Sequence, residues 1–268
     1  VPIAVFPALA IGSGVIVGLV LGLVGGGGSI LAVPLLVYVV GVPSPHVAVG
    51  TAAIAVALNA AVSLGAHAWR GTVKWRCALV FAGAGVVGSL LGAELGKAID
   101  GQRLLALFGL VMIAVGLSML KPPAKPANEN VRLTQESAPY LLPRLIGMGF
   151  AVGALAGFFG IGGGFLIVPA LMLATGMSLP SAVATSLVAV MAFGLATATS
   201  YGASGLIDWP LAVLVVGGGA LGAMAGARLN AVLARSKHML NRVFGIGVIG
   251  VGALIVARGL RHLPGFTH

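Results

Sequence analysis

The chain has 268 residues, of which 59% are hydrophobic and 7% charged, with a mean hydropathy of +1.13. Soluble domains carry about 25% charged residues, so this composition excludes a soluble globular protein. The formal net charge of +10 does not point to nucleic acid, because the basic residues are scattered among short segments between apolar runs, as the positive-inside rule distributes them.

The apolar runs are continuous rather than alternating, which argues against a β-barrel. Several approach or exceed 18 residues, enough for a bilayer core of about 30 Å. The first predicted helix covers 3–24. It lacks a basic start, and an equally apolar segment follows after a short break, so it reads as a span and not as a signal peptide. The break is Gly25-Gly26-Gly27-Gly28-Ser29. An apolar piece over 30–40, containing Pro34, follows it. A turn with Pro43 and Pro45 leads to predicted spans near 47–68, 77–96 and 104–120. A polar, proline-rich linker occupies 121–143. The next spans fall near 144–160, 165–175, 181–201, 210–227 and 243–257. Between the first two lies Gly160-Ile161-Gly162-Gly163-Gly164, with Pro169 beyond it.

These two series are one series repeated. Residues 18–120 align with 153–257: Gly22 with Gly157, Gly25 with Gly160, Gly27 and Gly28 with Gly162 and Gly163, and Pro34 with Pro169. Ala48-Val49-Gly50-Thr51 matches Ala182-Val183-Ala184-Thr185, and Gly71…Trp75 matches Gly205…Trp209. The predicted fold class is an all-α polytopic membrane protein of two homologous repeats. Each repeat has a glycine-broken helix hairpin and three transmembrane helices. Residues 1–120 form the first repeat, 121–143 a cytoplasmic linker and 144–268 the second repeat, within one integrated domain.

The pieces 30–40 and 165–175 are each about half a bilayer long at 1.5 Å per residue. If each break reverses the chain, the repeats are inverted. Arg70, Lys74, Arg76, Lys121, Lys125, Arg132, Arg144, Arg228, Arg235, Lys237 and Arg242 then share one side, against Lys97, Arg103, Arg258 and Arg261 on the other. That is eleven against four. Counting the repeats as parallel gives nine against six, a weaker bias. The inverted reading places the linker in the cytoplasm and both termini in the periplasm.

Paired Gly- and Pro-interrupted segments in two halves of a membrane protein are the sequence pointer to a transporter's binding site. Non-helical backbone survives in a bilayer only against protein or a wet cavity. A short helix that follows such a break begins with unpaired N–H groups and the positive end of its dipole. Two such starts facing each other would cradle a small anion without lysine or arginine. Candidate binding residues are Gly26, Gly27, Gly28, Ser29, Gly162, Gly163 and Gly164, with Thr51, Thr185 and Ser186 at the start of the next helix in each half. The competing reading of the glycines is close helix packing. That of the hydroxyls is a bond to the preceding turn of their own helix.

Other polar groups within the spans are few. Asn59, His67, Tyr201 (at the place matching His67) and Glu94 are candidates for coupling or gating, and they should face the bundle interior. His67 also reads as a satisfied interfacial histidine, and Glu94 as an interface residue beside Lys97. The single cysteine, Cys77, excludes an intrachain disulfide or a cysteine-clustered metal site. No metal or cofactor is expected. No G-x-x-x-x-G-K-[ST] motif is present, so direct ATP drive would need another subunit. Gly202-Ala203-Ser204-Gly205 has the G-x-S-G form of intramembrane serine proteases, but no histidine follows in a later span centre to face Ser204.

The segments 25–34 and 160–169, the starts at 48–51 and 184–186, and the Gly71…Trp75 and Gly205…Trp209 turns together resemble the sulfite exporter TauE/SafE family, also called the toluene-sulfonate uptake permease family. The resemblance covers nearly the whole chain. One departure is Ala52, where a hydroxyl matching Ser186 is expected. Membership implies an inner-membrane secondary transporter for a small sulfur-containing anion such as sulfite, thiosulfate or an organosulfonate. An anion channel is the alternative, with the serine hydrolase a distant third. The expected partners are the small anionic substrate and the lipid bilayer, with a homodimer left open.

Overall fold

The computed structural model describes residues 5–69, 71–120, 137–160, 164–232 and 237–261. They form an all-helical bundle. The first half comprises α1 (Val5–Val24), a 3-10 segment Gly25–Leu31, α2 (Ala32–Leu35), a π-helical turn Leu36–Val40, α3 (Pro45–Ala68), α4 (Trp75–Ala98) and α5 (Gly101–Leu120). The second comprises α6 (Ala138–Phe159), α7 (Gly164–Thr175), α8 (Leu179–Ala203), α9 (Trp209–Val232) and α10 (Lys237–Arg261). Among the described residues five helices, α3, α4, α6, α8 and α9, are long and apolar enough to cross a membrane. A 24-residue helix such as α4 is about 36 Å long.

The ends of the elements repeat between the halves because their local chemistry repeats. Ser44 accepts a hydrogen bond from the Val47 N–H at the start of α3, ahead of Pro45 in the first turn. Ser178 precedes α8 in the same extended conformation. Pro in a first turn loses no helix hydrogen bond. Gly41 and Gly176 end the two half-length pieces at φ 85° and 74°, and Gly71 and Gly205 turn the chain into α4 and α9 at φ 65° and 69°. Only glycine takes these left-handed angles without strain.

Two predicted boundaries move. Helix α6 begins at Ala138, inside the predicted linker, with Pro143 within its first two turns. A proline there removes one early helix bond and leaves the rest intact. The piece predicted as one helix over 30–40 is α-helical only over Ala32–Leu35. The remainder of the predicted linker, 121–136, lies outside the described residues.

Packing exchanges partners between halves. Helix α1 lies most extensively on α9, and α4 on α6; α3 packs on α8 and α5 on α10. Exchanging each element for its repeat equivalent maps this set onto itself. Glycine makes the first two contacts close. Side chains at Gly14, Gly18 and Gly22 would run into the α9 backbone at Val215, Gly219 and Ala223 in that order. Side chains at Gly88, Gly92 and Gly96 would meet Phe150, Ala154 and Phe158 of α6. Both pairs therefore run parallel. Helices α3 and α8 run antiparallel, with Gly50 against Tyr201 and Gly194 against Ala53 and Ala57. So do α5 and α10, with Gly109 against Gly252 and Gly116 against Gly245. Small residues every fourth position let helix backbones touch, the main source of packing where lipid removes the hydrophobic drive between helices.

The outer surface is apolar along the spans, with Leu79, Val87, Leu91 and Leu95 exposed on α4 and Val213 and Leu221 on α9. Trp69, Trp75, Trp209 and Tyr140 are exposed at helix ends, where aromatic rings anchor at headgroup level.

Candidate functional site

The first glycine break meets the helix that follows the second. The 3-10 segment Gly25–Leu31 packs against α7, and also against α1 and α8. The first break lies flat on its own preceding helix: a side chain at Gly28 would collide with the backbone of Val17 and Leu21. Gly28 is therefore a packing glycine as well as a member of the break. Ser29 next to it is fully buried.

The geometry of the two breaks differs. The first is wound as a 3-10 helix, whose i to i+3 bonds engage N–H groups that the sequence reading left free. At the second, α6 stops on Gly160, whose φ is 65° and whose N–H donates to the Gly157 carbonyl at 3.1 Å. Helix α7 then opens at Gly164, and its first-turn N–H groups have no partner within the helix. Gly162 and Gly163 lie outside the described residues. Gly26 and Gly27 fall within the 3-10 segment.

Thr51 and Thr185 do something the sequence did not suggest. Thr51 Oγ1 accepts a hydrogen bond from the Asp208 N–H at 3.0 Å, and Thr185 Oγ1 accepts one from the Lys74 N–H at 3.1 Å. Each threonine is fully buried. Each serves the turn that opens a helix of the other half, α9 in one case and α4 in the other. Asp208 in turn accepts from the Leu211 N–H at 3.0 Å, capping α9. Neither bond is to the threonine's own helix. Ser186 does make such a bond, donating to the Val183 carbonyl at 2.8 Å.

The coupling candidates separate. His67 is buried and its Nδ1 lies 3.0 Å from the Ser63 carbonyl, a satisfied histidine in the last turn of α3. Tyr201 is fully buried, its hydroxyl without a protein partner, its ring 5.9 Å from Lys97 Nζ. Glu94 is 66% exposed and pairs with Lys97 at 2.8 Å. It also accepts from Ser200 Oγ at 2.8 Å, so it ties the end of α4 to that of α8. Asn59 is fully buried, and neither atom of its amide has a partner.

Ser204 at the end of α8 donates to the Ser200 carbonyl at 3.2 Å and accepts from Lys97 Nζ at 2.9 Å. Those partners hold a helix end. Among the described residues no group of three or more His, Cys, Asp or Glu is placed to hold a metal ion.

The profile of the family described as Sulfite exporter TauE/SafE matches residues 10–255. The chain belongs to the TauE/SafE family. It is 49% identical over 251 residues to a probable membrane transporter protein of Xylella fastidiosa (strain Temecula1), covering 93% of this chain and 95% of that protein. It is 32% identical over 264 residues to the probable membrane transporter protein YunE of Bacillus subtilis, covering 92% and 96%. A probable membrane transporter protein of Haemophilus influenzae is 29% identical over 218 residues, covering 81% and 82%. No solved structure matches. This TauE/SafE protein is thus a multi-pass membrane transporter and not an enzyme.

Proposed function

We propose that this TauE/SafE protein is a secondary transporter of the inner membrane that moves a small sulfur-containing anion (sulfite, thiosulfate or an organosulfonate). The anion is held where the first glycine break meets the start of α7. The observation that carries this reading is the packing of the 3-10 segment Gly25–Leu31 against α7, which brings the first break against the helix that follows the second. The donors are the first-turn N–H groups of α7, with Gly162, Gly163 and Gly164 at its start. From the first half come Gly26, Gly27, Gly28 and Ser29. Charge-assisted bonds from such donors are roughly twice as strong as neutral ones and need no buried countercharge, which is expensive in lipid.

The halves are inverted in this reading, with the linker cytoplasmic and the termini periplasmic. Support comes from the antiparallel course of the equivalent helices α3 and α8, and of α5 and α10. The basic-residue count of eleven against four points the same way. Thr51 and Thr185 then hold equivalent turns at opposite membrane faces. This departs from their expected place beside the anion.

The test is flux in liposomes containing the purified protein. Sulfite, thiosulfate and a small organosulfonate are compared with the sulfonamide matched to that sulfonate. The expected result is saturable uptake of at least one anion and none of the neutral analogue. Equal transport of the sulfonamide removes the anion site, and flux that never saturates or trans-stimulates favours a channel.

A further inference from the structure

The duplication lets each core position be compared with its equivalent, and at one place the halves part. Gly219 of α9 and Gly85 of α4 are repeat equivalents. A side chain at Gly85 would overlap the Phe193 ring, and one at Gly219 would overlap the Asn59 amide. Phe193 and Asn59 are themselves equivalents, each seated in a notch that a glycine leaves in the facing helix. Around Gly85 the surroundings are apolar: Phe193 stacks on Phe81 at 6.1 Å between centroids. Around Gly219, Val215 stands where Phe81 would be.

Three side chains in the first half are polar, fully or almost fully buried, and without a protein partner. They are Asn59 (0% exposed), Ser63 (1%) and Ser13 (3%). Ser63 lies one turn beyond Asn59 on the same face of α3. Ser13 is on the buried face of α1 with Ala10, Val17 and Leu21. It adjoins Gly14, whose side-chain position faces Val215 and Gly219. The equivalents in the second half are Met148, Phe193 and Thr197, so two of the three positions are apolar there.

Buried polar atoms without partners need an explanation, commonly a bound ion or water. In a helix bundle the orphan donors have a remedy. A serine hydroxyl or an amide N–H can turn to a helix carbonyl, which has a second lone pair. The orphan acceptors can draw on nothing but the few O–H and N–H donors of the cluster itself, because the backbone N–H groups around them are already spent on helix bonds. What Asn59 Oδ1, Ser63 Oγ and Ser13 Oγ lack is a positive group. Oxygen donors suit hard cations. The site contains no carboxylate: the acidic residues described are Glu94, Asp100 and Asp208, at helix ends. A neutral set of oxygens balances one positive charge far better than two.

We infer that the unpartnered oxygens of Asn59, whose amide packs on Gly219, and of the buried Ser63 and Ser13 near it bind a small monovalent cation of the sodium class, with water completing its coordination. At the pseudo-symmetric place by Gly85 the ring of Phe193 stands where the Asn59 amide does and offers no oxygen, so the protein binds one such ion and not two. Its use in coupling rests on the transporter reading above; its existence does not.

The experiment is thermal unfolding of the detergent-purified full chain at constant ionic strength, in sodium chloride, sodium gluconate and choline chloride. Ligand that binds only the folded state raises the midpoint by an amount that grows as the logarithm of one plus its concentration over Kd. The expected result is an upward shift that grows with the logarithm of sodium concentration in both sodium salts and none in choline chloride. Asn59→Leu, which keeps the volume and removes the oxygen, abolishes the sodium shift. Ser63→Ala moves the sodium concentration at which the shift sets in at least tenfold higher. Phe193→Leu leaves it unchanged. Where Asn59→Leu does not fold, Ser63→Ala and Ser13→Ala carry the same reading. Equal midpoints in all three salts, a shift that follows the anion, or a sodium shift that survives these substitutions overturns the site. A sodium shift in protein that transports no anion leaves the site standing and counts against the proposed function alone.

Discussion

Thr51 Oγ1 accepts the Asp208 N–H at 3.0 Å across 157 residues of chain. Its equivalent Thr185 does the same for Lys74 at 3.1 Å. The pair links helix starts in opposite halves at places related by the duplication. A helix that begins inside a bundle has N–H groups that neither its own turns nor water satisfies. Borrowing a hydroxyl from the other half answers that need and ties the halves together.

Removing either hydroxyl while keeping its shape should therefore destabilise the fold. Thr51→Val and Thr185→Val should each cost about 1–3 kcal/mol, the penalty of an orphaned buried donor. Thr51→Ser should cost much less. The two sites are at different helix starts with no shared partner, so the double variant should be close to additive. Unfolding midpoints of purified protein check this. If both valine variants unfold like wild type and only raise the KM for the anion, the threonines are substrate ligands and not caps.

What the sequence made legible and what it left hidden divide along a physical line. Spans, the duplication and the glycine breaks follow from composition and order along the chain; the described residues hold five apolar helices of spanning length and the first break, while 161–163 of the second lie outside them. That α1 meets α9, and that α4 meets α6, is a property of the assembled halves that no local pattern contains. Thr51 was misread for that reason, since its donor lies in the other half. Helix α6 starts ahead of the proline-rich boundary because Pro143 is carried inside it at the cost of one helix hydrogen bond. The 3-10 winding of Gly25–Leu31 follows from its seat on α1, which only the tertiary contact at Gly28 reveals.

Glycine positions should split into three classes by substitution. Gly18→Val and Gly92→Val place a branched side chain into the backbone of α9 or α6, with no flexible neighbour to give way. Both should abolish monodisperse protein in detergent. Gly28→Val should do the same, through its contact with Val17 and Leu21. Gly83→Ala faces open space on α4 and should stay within about 0.5 kcal/mol of wild type, the usual range for an exposed site. Size-exclusion profiles and unfolding midpoints decide the matter. A well-folded Gly92→Val protein would show that the α4–α6 contact is looser than described.

Function should fail at the breaks without loss of fold. Gly27→Val and Gly163→Val add bulk where backbone is proposed to approach the anion, so uptake should drop at least tenfold while expression and midpoint stay near those of Gly83→Ala. Liposome uptake of the transported anion, normalised to reconstituted protein, is the measurement. Normal uptake by both variants would make these glycines packing devices and move the site elsewhere.

The sidedness of equivalent residues gives the sharpest test of the inverted arrangement. Trp69 at the end of α3 and Ala203 at the end of α8 are repeat equivalents and both are exposed. Parallel repeats would put them on the same face of the membrane, inverted repeats on opposite faces. The only cysteine, Cys77, is buried, so Cys77→Ala supplies a silent background. In it, Trp69→Cys and Ala203→Cys are labelled in intact cells with a membrane-impermeant maleimide, and again after permeabilisation. The basic residues Lys74 and Arg76 lie near Trp69, and the positive-inside rule puts them in the cytoplasm. Ala203→Cys should therefore label in intact cells, and Trp69→Cys only after permeabilisation. Labelling of both before permeabilisation, or of neither, would exclude inverted repeats and with them the proposed cytoplasmic linker.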